Sequence, residues 1–198
     1  VSILKNKVII GIDLAGKQKN PTGWAVLKNK MMETALVYTD KEILEKIAYT
    51  KPAIAAIDAP LKLPKKGLLR KADKALIKRG YRVFPPGLPS MKGLTLRATK
   101  LNKLITEKGI KTIEVHPTST RRALNMPLKD WREIQKTLKS IGLEGSLKVC
   151  TLKSHEIDAA TAALTAYLYI KGLTESLGDE EEGYIIVPKK QDWRNIKL

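Results

Sequence analysis

The chain predicts a mixed α/β fold, and three observations carry that expectation. Two continuous apolar runs, KVIIGID (7–13) and AIAAID (53–58), each close on an aspartate. Runs of this kind read as strands buried on both faces of a sheet. Between them, GWAVL (23–27) and TALVY (34–38) follow the turn signal Asn20-Pro21-Thr22-Gly23, so the first three strands form a meander. Downstream, segments with apolar residues at helical spacing alternate with one more short run, TIEV (112–115). Strands separated by helices imply crossovers, which makes the first, fourth and fifth strands parallel neighbours.

The elements follow in order. Asp40 is expected to cap a helix running to about Tyr49, with Ile43, Leu44 and Ile47 on one face and Pro52 as its stop. Gly67 to Arg79 sets Leu68, Leu69, Ala72, Ala75 and Leu76 at helical spacing, with Arg70, Lys71, Lys74 and Lys78 on the other face and Gly80 at the end. Phe84-Pro85-Pro86-Gly87-Leu88-Pro89 is expected to be a loop. A second helix spans about Thr95 to Lys108, burying Leu101, Leu104 and Ile105. His116-Pro117 closes the TIEV strand. Pro127 to Ile141 reads as a helix with Trp131, Ile134 and Leu138 inward, and Ser154 to Lys171 as an alanine-rich helix ended by Gly172. Tyr184 to Val187 reads as an edge strand stopped by Pro188.

Composition narrows the class. The 198 residues suit one domain, 1–198, with a basic helical insertion at about 61–110. Cys150 is the lone cysteine, so no disulfide forms within the chain and no cysteine-based zinc site exists. No apolar run approaches the roughly 20 residues of a membrane span. Val1 to Gly11 is short for a signal peptide and reads as strand. A cytoplasmic protein without a membrane partner is the expectation. The net charge is +17, and residues 61–112 hold 15 basic residues against 2 acids, so 13 of the 17 excess charges lie there. A general lysine bias would spread evenly; this concentration points to a basic face for an anionic partner such as DNA or RNA.

Three acids stand at the ends of the three parallel strands: Asp13, Asp58 and Glu114. One such acid is an ordinary cap, but three together repel one another and raise each other's pKa. A hard divalent cation relieves that repulsion, and oxygen ligands suit Mg2+ or Mn2+. At the start of the late helix, His155 and Asp158 are three residues apart and share a face, which Thr161 and Ala162 continue with small side chains. Glu156 is expected to face solvent. GIDLAGK (11–17) has the spacing of a phosphate-binding P-loop as far as its lysine. Gln18 follows where Ser or Thr is required, and Pro21 and Gly23 stand where a helix should begin, so the match is rejected.

Several motifs together resemble a known family. GIDLAG (11–16), PTGWAVL (21–27), AIDAPL (56–61), RKAD (70–73), IEVHPTST (113–120) and HEIDAATAALTAY (155–167) are similar to the family named domain of unknown function 429, regarded as predicted nucleases of ribonuclease H-like fold. The likeness runs from the first strand to GYIIVP (183–188). It implies a five-stranded mixed sheet of order 3-2-1-4-5, strand 2 antiparallel, flanked by helices. More distantly, the pattern resembles Holliday-junction resolvases, in which Asp13, Asp58 and Asp158 occupy the places of the acids on strand 1, strand 4 and a late helix. Asp158 departs from that pattern as the only acid on its face, with His155 where a second could stand, which leaves one or two metals open.

The resulting expectation is a metal-dependent nuclease. Asp13 would bridge two ions, Asp58 and Asp158 would each complete one site, and Glu114 or His155 would be a third-shell or proton-handling group. Arg70, Lys71, Lys74 and Lys78 would hold flanking phosphates without reading sequence. Three other readings stand beside it: a nucleic-acid-binding protein of the same fold without catalysis, a metal-dependent phosphoesterase for a smaller substrate, and a sugar-kinase or actin-like ATPase. The last needs two such domains around its nucleotide.

Overall fold

A computed structural model describes residues 6–198, so the first five residues of the expected Val1–Gly11 strand lie outside it. The meander forms as expected: β1 (Val8–Asp13), β2 (Thr22–Lys28) and β3 (Met31–Val37) pair antiparallel in sequence. Helix α1 (Asp40–Thr50) follows. Its cap is Thr39, one residue earlier than expected, because the Thr39 hydroxyl accepts from the Glu42 N–H at 3.1 Å. Strand β4 (Ile54–Asp58) then returns beside β1 in parallel.

The basic stretch folds as α2 (Lys71–Lys78) and α3 (Pro89–Thr106). Helix α2 begins four residues later than the apolar pattern implies. Arg70 sits at its N-cap, where the Asp73 carboxylate accepts the Arg70 backbone N–H at 2.8 Å. Helix α3 begins six residues earlier than expected, with Pro89 in its first turn, a position that needs no N–H. Strand β5 (Lys111–Val115) pairs parallel with β4.

A short helix, α4 (Pro117–Ala123), escaped the sequence reading; α5 (Trp131–Ser140) follows, four residues shorter at its start than the Pro127 boundary. Asp130 caps α5 by accepting from the Arg132 and Glu133 N–H groups. Trp131 is not inward as expected: it is 37% exposed, because it opens the helix at the protein surface. Two-residue β6 (Glu144–Gly145) extends the sheet beyond β3, and one-turn α6 (Ser146–Val149) leads to α7 (Ser154–Ile170). Strands β7 (Thr174–Asp179) and β8 (Gly183–Pro188) end the sheet, and a single 3-10 turn covers Trp193–Asn195.

Among the described residues the sheet has eight strands, in the order β6-β3-β2-β1-β4-β5-β8-β7. The expected 3-2-1-4-5 run stands intact at its centre, with β2 antiparallel. The count of five is corrected to eight. GYIIVP is not an edge strand either, since β8 lies between β5 and the unforeseen β7. The TESLGD segment of β7 lacks the apolar alternation that marks a strand, and it pairs because the β8 hairpin turn brings it there.

Alternation sorts the residues between two cores. Ile9, Ala56, Ile113 and Val115 face a core roofed by α7, while Ile10, Ile12, Ala55 and Ile57 face one covered by α1 and α3. Helix α7 is buried along most of its length, from Ile157 to Leu168. It lies directly on β1 and β2 because Gly11 and Gly23 present no side chain. A Cβ at Gly11 would overlap the Ala159 carbonyl oxygen, and one at Gly23 that of His155.

Candidate functional site

Asp13 and Asp58 are register partners at the ends of adjacent parallel strands. Paired residues on neighbouring strands project to the same face, so the two carboxylates stand side by side. They share the α7 face with Ile9, Gly11 and Ala56. Helix α7 closes over them: His155 Nδ1 lies 2.6 Å from Asp13 Oδ2, and Asp158 faces both carboxylates closely enough to perturb them. The close approach permitted by Gly11 and Gly23 is what lets the first turn of α7 reach the strand ends.

The electrostatics follow from crowding. Burial raises the Asp13 pKa to about 6, with the Asp158 charge adding to it, while the His155 hydrogen bond and Arg121 pull the other way. Burial and then the charges of Asp13 and Asp158 push Asp58 well up. Three like groups are thus held together at a cost that a cation would remove.

Arg121 is the residue that sequence reading missed. It is 1% exposed on α4. Its Nη1 donates to Asp158 Oδ1 at 2.5 Å and its Nη2 to Thr118 Oγ1 at 3.3 Å. Its guanidinium lies 5.5 Å from the Trp131 ring centroid, and its Nε is buried without a partner. The motif ending at Thr120 stops one residue short of it, and an arginine in a short helix carries no signal of its own. Only the packing of α4 on α7 turns it toward Asp158.

Glu114 does not join the cluster in the expected way. It registers with Ile57, not Asp58, and so projects to the opposite sheet face from Asp13 and Asp58. There it accepts from Arg70 at 2.5 and 2.8 Å and from the Leu61 N–H at 2.8 Å. Arg70 in turn donates to both oxygens of Asp73. The expectation that Arg70 holds phosphate is therefore corrected. Arg70 is 0% exposed, because two carboxylates and a sheet edge enclose it. Burial opposes its charge, but the Glu114 and Asp73 hydrogen bonds outweigh that and raise its pKa.

The basic face is also smaller than composition implies. Asp179 ends β7, and Glu180, Glu181 and Glu182 form the turn to β8. Lys71 pairs with Asp179 at 2.6 Å, Lys65 with Glu181 at 3.0 Å, and Lys62 donates to the Glu180 carbonyl at 2.7 Å. Glu182 accepts the backbone N–H groups of Lys65 and Lys71, which pins the start of the basic segment to the turn. Lys74 and Lys78 are exposed. Glu156 is not simply solvated: it accepts from Thr34 Oγ1 at 2.8 Å and from the Lys153 N–H at 3.0 Å. His116 has Nδ1 at 2.6 Å from Ser119 Oγ, and burial, then Arg121, lower its pKa to about 4.

Among the described residues, no group of three or more His, Cys, Asp or Glu side chains is arranged to hold a metal ion. The reason is visible in the third carboxylate, since Asp158 is turned to Arg121. The donor set nonetheless fits a hard cation: two adjacent oxygen donors with raised pKa values and no lysine between them. The P-loop match fails as expected, because the chain after Lys17 passes through a turn into strand β2.

Paired acids at the carboxyl edge of a 3-2-1-4-5 sheet, closed by a late helix, define an α/β protein of ribonuclease H-like fold. The chain belongs to the family described as protein of unknown function (DUF429), whose model matches residues 11–183. Among solved structures it is similar to Thermus thermophilus RuvC, at 19% identity and a TM-score of 0.49 over 83% of this chain and 96% of that one. A second likeness is to T. thermophilus RuvC in complex with a Holliday junction substrate, at 18% identity and a TM-score of 0.47 over 84% of this chain and 96% of that one. No curated protein gives a significant match. Among the described residues, no helix is long and apolar enough to cross a membrane.

Proposed function

We propose that the protein is a divalent-metal-dependent nuclease whose metal-binding residues are Asp13 and Asp58. One observation carries the reading: the two carboxylates are register partners at one sheet end, both with raised pKa values. Paired oxygens that resist ionisation together are what Mg2+ or Mn2+ stabilises. A cation held there would supply Lewis acidity to a phosphodiester and lower the pKa of an attacking water. The chain's own residues do the rest. Asp13 and Asp58 bind the ion, and His155 orients the Asp13 carboxylate through Nδ1. Asp158 becomes a third ligand only by leaving Arg121. Lys74 and Lys78 draw the polyanion toward the edge. Glu114 supports the site from the far sheet face, where it holds Arg70 in the cavity wall, and binds no metal.

A smaller phosphoester is the second reading. It is favoured by the partly enclosed cavity of about 210 Å³ that Asp13 and Asp58 line. One screen separates the two. Purified protein is incubated with Mg2+ or Mn2+ and single-stranded, duplex, hybrid and branched oligonucleotides, with bis-aryl phosphate as the small substrate. The proposal expects oligonucleotide cleavage that chelator abolishes and that Asp13→Asn and Asp58→Asn each reduce by at least about a hundredfold, the scale of losing a group that stabilises the transition state. Cleavage of the aryl phosphate alone establishes the second reading. Activity untouched by both substitutions refutes the assignment of these carboxylates.

A further inference from the structure

The cavity beside the carboxylates has a second wall that the metal chemistry does not use. Leu14, Val83, Phe84, Met91, Leu94 and Ile185 line it together with Asp13 and Asp58. Phe84 is the only phenylalanine in the chain and is 78% exposed at the rim. What sets it apart from the exposed Tyr49 is its place in the cavity wall beside the two carboxylates.

The loop that carries it is built to be stiff. Pro85 and Pro86 follow Phe84 and restrict the backbone. The Gly87 N–H donates to the Leu68 carbonyl at 3.0 Å, and the Leu88 N–H to the Pro85 carbonyl at 3.1 Å. Gly87 sits so close to this strut that a Cβ there would press on the Leu68 backbone. A ring presented on a braced loop loses little freedom when it binds.

Charge selects the occupant. The acids lining the cavity are Asp13, Asp58, Asp73 and Glu114, and the one arginine is Arg70, already engaged by Asp73 and Glu114. Without a bound cation these carboxylates repel a phosphate from the cavity, whereas a neutral planar ring meets no such barrier. Arg82 and Lys92 are exposed and next in sequence to the lining residues Val83 and Met91, and would serve the flanking phosphates. At about 210 Å³ the space falls below the roughly 300–1,000 Å³ of pockets for drug-sized ligands, which suits a single base.

We infer that the cavity receives one unpaired nucleobase, stacked on Phe84, beside the phosphodiester to be cut. The inference rests on the nuclease reading and gives it a substrate class: nucleic acid with a splayed or single-stranded nucleotide. A paired base cannot enter, because its edge and both faces are occupied in the duplex.

The test measures binding in chelator, so that cleavage plays no part. The probes are a single-stranded oligonucleotide containing one 2-aminopurine, the same strand in a duplex, and the strand with an abasic site at that position. Stacking on one aromatic ring is worth about 5- to 150-fold in affinity. Phe84→Ala should lose that much for the single strand, leave duplex affinity and melting temperature unchanged, and abolish 2-aminopurine quenching. Phe84→Trp should retain single-strand affinity and the quenching. The abasic strand should bind wild type as weakly as the intact strand binds Phe84→Ala. Equal loss on single strand and duplex, or full affinity for the abasic strand, overturns the base pocket while leaving the nuclease reading standing. Failure of wild type to bind any probe at low salt overturns both.

Discussion

Asp13 shows how one side chain can be tuned by position alone. Its folded pKa is raised from 3.8 to about 6, first by burial and then by Asp158. A carboxyl group with a raised folded pKa binds more protons folded than unfolded between those values. Its contribution is therefore most favourable below about pH 4 and is lost as pH rises through about 6. The full span corresponds to about 3 kcal/mol. His116 acts in the opposite sense. Its pKa is lowered from 6.5 to about 4, so its contribution is present above about pH 6.5 and is lost as pH falls toward 4. The informative quantity is thus the difference between wild type and Asp13→Asn, in which His116 cancels. In chelator, the Asn variant should gain on wild type steadily from pH 4 to 7 in thermal melts, with millimolar Mn2+ reversing the order at pH 7 by mass action. A difference independent of pH would make Asp13 a structural cap.

Helix α7 is the element on which the site depends, and two glycines decide how close it comes. Gly11 and Gly23 are cross-strand neighbours on the α7 face, Gly11 in register with Ala25 and Gly23 with Asp13. Each meets helix backbone where a Cβ would stand. Backbone cannot swing aside as a side chain can, so Gly23→Ala must lift the first turn of α7 from the sheet. The cost should be at least the roughly 1–3 kcal/mol of an overpacked core, read as a lower denaturation midpoint. The lift should also separate His155 from Asp13 and weaken Mn2+ binding. Gly93 supplies the control. It lies within α3 with nothing within 4 Å of its Cβ position, so Gly93→Ala should stabilise by about 0.5–1 kcal/mol. Equal effects at Gly23 and Gly93 would contradict the close-approach account.

At the scale of the whole molecule, a charge of +17 gives less binding surface than the number implies. The β7–β8 turn engages Lys62, Lys65 and Lys71, while Arg70 and Arg97 are buried in ion pairs with Asp73, Glu114 and Asp40. On the proposed function, phosphate contacts would fall to exposed residues such as Lys74 and Lys78. Duplex affinity should drop with salt along a log–log slope of roughly −0.9 per phosphate neutralised. Replacing Lys74 and Lys78 with alanine should flatten that slope without altering the melting temperature. Arg70→Ala should instead destabilise the fold by about 3–5 kcal/mol, since it leaves Glu114 and Asp73 buried without their cation. An Arg70 variant that melts like wild type and loses affinity would restore Arg70 to the binding face.

Much of this was legible in local pattern. KVIIGID and AIAAID declared buried strands, and the acids that end them marked the sheet edge, because a carboxylate closing an apolar run is a local conflict that the sequence states openly. The meander and α7 were legible for the same reason: their periodicity is set by which face is buried. Register was not, and register put Asp58 beside Asp13 while sending Glu114 to the other face, since one residue's shift along a strand reverses the side chain's direction. Arg70 and Arg121 look like any other basic residue in the chain. Only long-range packing, with Glu114 forty-four positions from Arg70 and Asp158 thirty-seven from Arg121, turned them from surface charge into buried counterions.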